Sequence, residues 1–498
     1  MVSVLLSALA TAFSMPGMLW GGVIWIALIP FLLDLEKGGL WKGTFKAFLY
    51  AYTYLMICHF WVLPVLSINV PEVLSSFPSF VGVLSFFLMG ILMSFPFLGF
   101  GFLYKLYAHK FSESMLLSAL FTASLFTLFD WLRSLGQLGF TGGSLADAFV
   151  NQKGLLQLSS FGGPYLLVFL VVFVNAMLVY AIKRKRKQKI TFILATLSVI
   201  FALNMLVENF LPVPIENPMY DKKIVAIQTN IPQSLKYNES PMEVYSIIEK
   251  ALKEIPEGDF AVLPEASFLY DIRNSFIGDK LQEISKERNL TMLIGFPAYE
   301  NGQRYNQLRL LGSDGFSNEF YAKMKPTPFA EFLPYPKLFG MFKFMRFLDF
   351  FSPGEVPIVF EVGNQRIGSQ ICFDSYYPEV TRDLVNAGSY VILISTNDGW
   401  FNFQTGLVQH LSKAILRAVE NRRYVIQVSN TGISAVVDPF GRIIKRLPTS
   451  SEWQAEYIIG DFHYLPRADR SFYTEYGDWF VYVLIAIVFF MILAGVFL

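Results

Sequence analysis

The chain has 498 residues, 54% of them hydrophobic and 16% charged, with 50 Phe and a mean hydropathy of +0.44. Average globular usage is nearer ~25% charged, which excludes an ordinary soluble protein. A formal net charge of +1 excludes the broad basic surface of a nucleic-acid binder, and two cysteines, Cys58 and Cys372, leave stability to packing rather than to a disulfide framework.

The charge is unevenly spread, because residues 1 to 213 hold 20 of the 79 Asp, Glu, Lys and Arg residues and residues 214 to 477 hold 58. A bilayer core of ~30 Å needs about 20 mostly apolar residues per helix. Such runs predict seven spans, near 3 to 15, 18 to 34, 45 to 68, 80 to 104, 115 to 133, 162 to 182 and 190 to 212, with an eighth from Trp479 to Leu498. No Lys or Arg precedes Lys37, so the first apolar run lacks the basic region of a cleaved signal peptide. The loops after the second, fourth and sixth spans carry eleven Lys and Arg residues, from Lys37 to Lys189. The opposite loops carry Arg133 and Lys153. Positive loops stay in the cytoplasm. The expected division is therefore a membrane region over 1–213, an outward-facing domain over 214–477, which is the periplasm in a bacterium with two membranes, and a last span over 478–498, with both termini cytoplasmic.

The outer segment alternates short apolar strands with amphipathic helices. Strands are predicted at 223–228, 260–263, 291–296, 305–311, 366–372, 390–395, 424–429 and 433–437, and helices at 242–255, 280–288, 378–387 and 407–420. That alternation indicates a layered α/β domain.

Three chemistry-bearing residues fall where strands should end: Glu265 in LPEASF, Lys323 in YAKMKPTPFAEF and Cys372 in GSQICFDSYYPE. A carboxylate, an ammonium and a thiol brought to one sheet edge make a nucleophile with its activators. Cys372 precedes a predicted helix, so backbone dipole and a nearby Lys would lower its pKa and favour thiolate. Glu265 would take and return protons, while Lys323 and the backbone N–H of Phe373 would stabilise an oxyanion. Against this stands the plain alternative that a lone strand Cys is a small buried hydrophobe.

The spaced set Glu265, Lys323 and Cys372, with PFAEF after the Lys and ICFDSYYPEVTR around the Cys, resembles the nitrilase superfamily. STNDGWFN (395–402), Gln409 and His410, RAVENRR (417–423) and SNTGISAVVDPFGRI (429–443) extend the match. Joined to a membrane region whose DWLRSLGQLGF (130–140) and NQKGLLQLSSFGGPYLLVFLVVFVNA (151–176) also match, the chain resembles the apolipoprotein N-acyltransferase family. The resemblance implies a polytopic α-helical membrane region plus an α/β nitrilase-like domain, an α-β-β-α sandwich. It implies a two-step reaction: a phospholipid acyl chain forms a thioester on Cys372, then passes to the α-amino group of an apolipoprotein's diacylglyceryl-modified amino-terminal Cys. Glu265 would be general base, Lys323 the stabilising cation and Glu331 a second essential carboxylate orienting it. Phe373, Asp374 and Trp400 would support the site or contact substrate. No cofactor and no metal are implied, and the partners are phospholipid, apolipoprotein and membrane lipids. Flanking spans restrict self-association, which points to a monomer. Two departures stand out: the family's CYE reads Cys372, Phe373, Asp374, and its GFPW reads Gly139, Phe140, Thr141, Gly142.

Other readings stay open on the residues alone. A membrane-tethered amidase would use the same catalytic set, with water resolving the thioester. An inactive nitrilase-like sensor or a transporter would belong to a different class. Phe329 to Phe351 holds eight Phe interleaved with Lys337, Lys343 and Arg346, a composition suited to the headgroup boundary and read as a lid rather than a core helix. Cys58 and His59 are neighbours that point apart on a helix and make a poor metal pair. Asp130 and Arg133 are expected to pair or to touch headgroups.

Overall fold

The computed structural model describes residues 1–73, 78–183, 189–212, 223–238, 240–341, 350–449, 458–462 and 469–497. They fall into two compact units, one of Met1–Leu66, Phe80–Pro212 and Ser471–Leu498, the other of Ser67–Ser79 and Val213–Arg470.

The first unit is helical. Among the described residues, Ser79–Phe111, Met115–Leu132, Ser159–Lys183, Thr191–Asn209 and Trp479–Val496 are long and apolar enough to cross a membrane. The bent pair Leu40–Cys58 and Val62–Val73 makes a sixth if taken as one span, and Val2–Phe13 and Gly21–Leu35 are shorter apolar segments. Irregular backbone in such surroundings needs partners inside the protein. Asn175 supplies them at the break in the second segment: its Oδ1 accepts from the Leu28 N–H at 3.1 Å and its Nδ2 donates to the Ile24 carbonyl at 3.0 Å.

Two charges counted with the loops are buried instead. Lys46 lies within Leu40–Cys58 and pairs with Asp34 at 3.1 Å. Arg133 pairs with Asp130 at 2.8 Å, with 2% of each side chain exposed. The Arg133 guanidinium also donates to the carbonyls of Phe140 and Gly142 at 2.9 and 2.7 Å, so it organises the loop that departs from GFPW. Of the two expectations for Asp130 and Arg133, the pair is present, as a buried loop anchor.

Among its described residues the second unit carries twelve strands: β1 (Ile224–Gln228), β2 (Phe260–Val262), β3 (Thr291–Glu300), β4 (Gln303–Gly312), β5 (Gly315–Ala322), β6 (Val359–Val362), β7 (Gln365–Ile371), β8 (Val391–Thr396), β9 (Tyr424–Ser429), β10 (Ala435–Val437), β11 (Ile443–Arg446) and β12 (Ile458–Phe462). They form two six-stranded sheets, β12-β1-β2-β3-β4-β5 and β11-β10-β9-β8-β7-β6. The middles, β1-β2-β3 and β7-β8-β9, are parallel. Parallel strands covered on both faces read as continuous apolar runs, and IVAIQ of β1 and VILIST of β8 are buried at every position.

Among the described residues, five helices of six or more residues accompany the sheets: α1 (Gln233–Asn238), α2 (Pro241–Glu254), α3 (Phe276–Arg288), α4 (Pro378–Asn386) and α5 (Gln404–Asn421). Alternation along β1 shows the layering. Val225 and Ile227 pack with Val244, Ile248 and Leu252 of α2 and Leu281 of α3, whereas Gln228 faces the other sheet and accepts from Ser434 Oγ at 2.8 Å. With α4 against β7 and α5 against β9, the order is helix, sheet, sheet, helix, the predicted sandwich. Strands β5, β6, β11 and β12 and helix α1 have no counterpart in the sequence reading.

Candidate active site

Chain direction gathers the predicted residues at the ends of strands. Glu265 lies just beyond β2, Lys323 follows β5, Cys372 follows β7, and Asn397 and Asp398 follow β8. Strand β5 is antiparallel to β4, which is antiparallel to β3, so β5 runs with β2 and their ends meet.

Glu265 is 6% exposed and Lys323 2% exposed. The Lys323 ammonium sits 3.1 Å from Glu265 Oε1 and 2.8 Å from Glu331 Oε2. Asn306 on β4 donates to both carboxylates, at 2.9 Å to Glu265 and 3.2 Å to Glu331. The second oxygen of Glu265 accepts from the Asn397 backbone N–H at 3.0 Å, and that of Glu331 from the Thr327 N–H at 2.7 Å. Burial opposes charge on Lys323, but Glu265 and Glu331 outweigh it and hold the ammonium well above its ordinary pKa. Burial likewise opposes charge on Glu331, yet Lys323 and the Thr327 amide hold it below the usual carboxylate range.

Cys372 is buried and opens a short helical turn, Cys372–Tyr376, with φ of 49°. A non-glycine residue in the left-handed region is strained unless its surroundings enforce it, and such strain is concentrated at functional sites. Ala266, next to Glu265, shares this conformation at φ 48°. The enforcement at Cys372 comes from Asp374, whose carboxylate accepts from the N–H groups of Ile371 at 3.0 Å and Lys325 at 2.7 Å and from the Tyr321 hydroxyl at 2.8 Å. One methylene shorter than the family's Glu, Asp374 still ties the Cys372 turn to the strand that delivers Lys323. Burial pushes its pKa up to about 6 against those donors.

The thiol corrects a sequence expectation. Burial pushes Cys372 well above the ordinary thiol value and Glu265 adds to the rise, while the attraction of Lys323 and a hydrogen bond with Thr396 fall short of cancelling them. A raised pKa favours thiol over thiolate at rest, so any attack by this sulfur requires loss of that proton.

The sequence reading missed Asn306, Asn397, Lys236 and the role of His410. Lys236 of α1 is buried and donates to the Ala266 carbonyl at 3.1 Å; burial lowers its pKa to about 7, against the pull of Glu265. His410 of α5 contacts Asp398 Oδ1 through Nδ1 at 2.7 Å. A sulfur of Cys372, an oxygen of Asp398 and a nitrogen of His410 lie within 4.8 Å of one another, close enough for a metal by spacing. The second ring nitrogen of His410 faces the Cys372 carbonyl and Ser375 Oγ, each at 3.2 Å. Both nitrogens are thus already engaged, and a metal would have to break that network.

Trp400 packs edge-on against Tyr237 at 5.8 Å, and its carbonyl accepts from Asn69 at 2.6 Å. Phe373 stacks on Tyr376 at 4.9 Å. In the proposed lid, Tyr335, Leu338 and Met341 are exposed around a four-residue helix, Pro336–Phe339, while Lys343 and Arg346 lie outside the described residues.

Comparison with known proteins covers both units. The carbon-nitrogen hydrolase family matches residues 223–463 and the apolipoprotein N-acyltransferase N-terminal domain matches residues 7–177. A protein of Thermotoga maritima named apolipoprotein N-acyltransferase is 42% identical over 494 residues, covering 98% of this chain and 93% of the relative. One of the same name from Geobacter metallireducens is 28% identical and covers 70% and 68%. The crystal structure of Saccharomyces cerevisiae Nit3, a nitrilase-superfamily member, matches at 20% identity and a TM-score of 0.37, covering 49% of this chain and 90% of that one.

Proposed function

The chain belongs to the apolipoprotein N-acyltransferase family, and we propose that it moves an acyl chain from a membrane phospholipid, through a thioester on Cys372, to the α-amino group of a lipoprotein's diacylglyceryl-cysteine. The observation that carries this reading is the buried Glu265–Lys323–Glu331 cluster, bridged by Asn306, at the strand ends beside a strained Cys372. Glu265 takes the thiol proton as sulfur attacks the ester carbonyl. Lys323 and the Phe373 N–H stabilise the oxyanion, and the departing lysophospholipid alkoxide recovers the proton from Glu265. The acceptor amine then attacks the thioester, Glu265 takes its proton, and the C–S bond breaks as Glu265 returns that proton to the sulfur, which restores the thiol and leaves the amide. Glu331 and Asn306 hold Lys323 in place.

The carboxylate–ammonium–thiol set serves hydrolysis equally well, but a match that includes the membrane region weighs against a tethered amidase, and the intact set weighs against a sensor. The charge bias of the loops supports an inner-membrane enzyme with a periplasmic catalytic domain and both termini cytoplasmic, and flanking spans that restrict self-association support a monomer. A thiol at the outer leaflet meets an acyl donor that stays in lipid. Exposed Leu338 and Met341 suit a lid that enters the headgroup region.

Intact-protein mass spectrometry tests the central step. Wild type incubated with a phospholipid of defined acyl chains is expected to gain one acyl mass that hydroxylamine removes, and a diacylated lipopeptide is expected to discharge it. Cys372→Ala is expected to gain nothing. Absence of both adduct and released fatty acid from wild type in every lipid tried would end the acyl-transfer reading. In the same assay Asn306→Leu is expected to fold and to lose roughly ten- to a hundred-fold in rate, the worth of hydrogen bonds to charged groups; an unchanged rate would show that Asn306 does not orient the pair.

A further inference from the structure

We infer that His410 is a positioning residue for the oxyanion site: its imidazolium grips the carbonyl of the Cys372–Phe373 peptide and thereby aims and polarises the N–H on the other side of that peptide. The inference rests on the acyl-transfer reading above. Its geometry starts from three acceptors around one buried ring. Asp398 Oδ1 lies 2.7 Å from Nδ1, and the Cys372 carbonyl and Ser375 Oγ each lie 3.2 Å from Nε2. Ser375 donates its own hydrogen to the Cys372 carbonyl at 2.9 Å, so toward His410 it is an acceptor. A carboxylate on one nitrogen and acceptors on the other require a hydrogen on both, which is the imidazolium. Burial disfavours that charge, but Asp398 and the Cys372 carbonyl hold the pKa above its ordinary value.

The consequence follows from peptide planarity. No cis peptide occurs among the described residues, and in a trans peptide the C=O and the following N–H point in opposite directions. Fixing the Cys372 oxygen toward His410 therefore fixes the Phe373 N–H away from it. A carbonyl that accepts from a cation also makes the N–H of the same peptide a stronger donor. Asp398 is itself held by Thr396 Oγ1 at 2.9 Å and Ser429 Oγ at 3.3 Å, and Tyr376 and Phe401 flank the imidazole ring. His410 is thus clamped on rigid elements, as a residue that sets an angle must be.

Two reactions of the same sulfur separate this role from simple structural support. Thioester formation passes through an oxyanion, whereas alkylation by iodoacetamide is a displacement that does not. In His410→Gln, thioester formation from phospholipid is expected to slow on the order of 10- to 100-fold, short of the 10²–10³ that loss of a whole oxyanion donor costs, while Cys372 alkylation stays within about threefold of wild type. Asp398→Asn, which keeps the ring but removes its counter-charge, is expected to slow thioester formation in the same sense without slowing alkylation, and it decides the matter if His410→Gln does not fold. An equal fall in both reactions, or no change in thioester formation, would overturn the inference. A wild type that alkylates but forms no thioester would remove the acyl-transfer reading beneath it.

Discussion

Glu265→Gln will lose acyl transfer and at the same time make Cys372 easier to alkylate at moderate pH. The two effects have different origins in one carboxylate. As the base that accepts the thiol proton and later the amine proton, Glu265 contributes a factor of about 10²–10⁴, so thioester formation is expected to fall by roughly a thousandfold. As a fixed charge it does the reverse to the thiol. Burial pushes the Cys372 pKa up first and Glu265 pushes it further, against Lys323. The amide is nearly isosteric and neutral, so that second push disappears while Lys323 remains, and the alkylation profile moves to lower pH. The measurement is the rate of iodoacetamide labelling against pH in a Cys58→Ser background, beside single-turnover thioester formation. In wild type, labelling is expected to be still rising above the pH at which a free thiol levels off. A Glu265→Gln profile that moves to higher pH would mean that the carboxylate assists thiolate formation at rest, and the assignment of Glu265 as a base acting only on attack would fall.

That prediction depends on burial, which the primary structure conveys poorly. The three residues were legible because each ends an apolar run beside a recognisable segment, LPEASF, YAKMK or GSQIC, and strand ends at one sheet edge converge. Their electrostatics were not. Helical dipole and a neighbouring Lys argue for a thiolate at Cys372, but the fold buries the sulfur among Glu265 and Asp398 and reverses the balance. Asn306 was invisible for another reason: it lies inside β4, where a strand pattern reads it as one more polar position, and only the crossing of β4 beside β5 brings it between two carboxylates. Strand β11 escaped for want of a buried face. All four residues of β11 are exposed, so no alternation marks it. Helix α1 has six residues, too few for a 3.6-residue period to show. In the membrane region, Lys46 and Arg133 read as loop charges because hydropathy counts residues and not partners, while Asp34 and Asp130 neutralise them inside.

The largest expected loss of stability is at Lys323. Lys323→Met removes the cation that pairs with two buried carboxylates, and breaking a buried pair from one side typically costs about 3–5 kcal/mol, because the remaining charge keeps its desolvation cost without compensation. Here two charges remain, Glu265 and Glu331, with Asn306 as their shared donor. For a domain of this size the loss corresponds to a fall in Tm of roughly 10 °C, and acyl transfer is expected to vanish with the oxyanion cation. The dependence on pH should also change sign. In wild type the Glu331 pKa is lowered, so its contribution is present above the unfolded carboxylate value of about 4.3 and is lost as pH falls through the folded one; Lys323, with a raised pKa, contributes below about 10.4 and loses that contribution only as pH rises through its folded value. In Lys323→Met, burial without that cation raises the Glu331 pKa. The folded state then binds more protons than the unfolded one, and stability falls as pH rises from about 4 toward neutrality. Thermal unfolding of the whole enzyme in detergent, scanned across that range, reads the slope directly. The double variant Lys323→Met with Glu331→Gln is expected to recover much of the Tm and none of the activity, because it removes a stranded charge without restoring the ammonium. A Lys323→Met enzyme as stable as wild type at pH 7, with the same slope, would show that the cluster is not held together by charge.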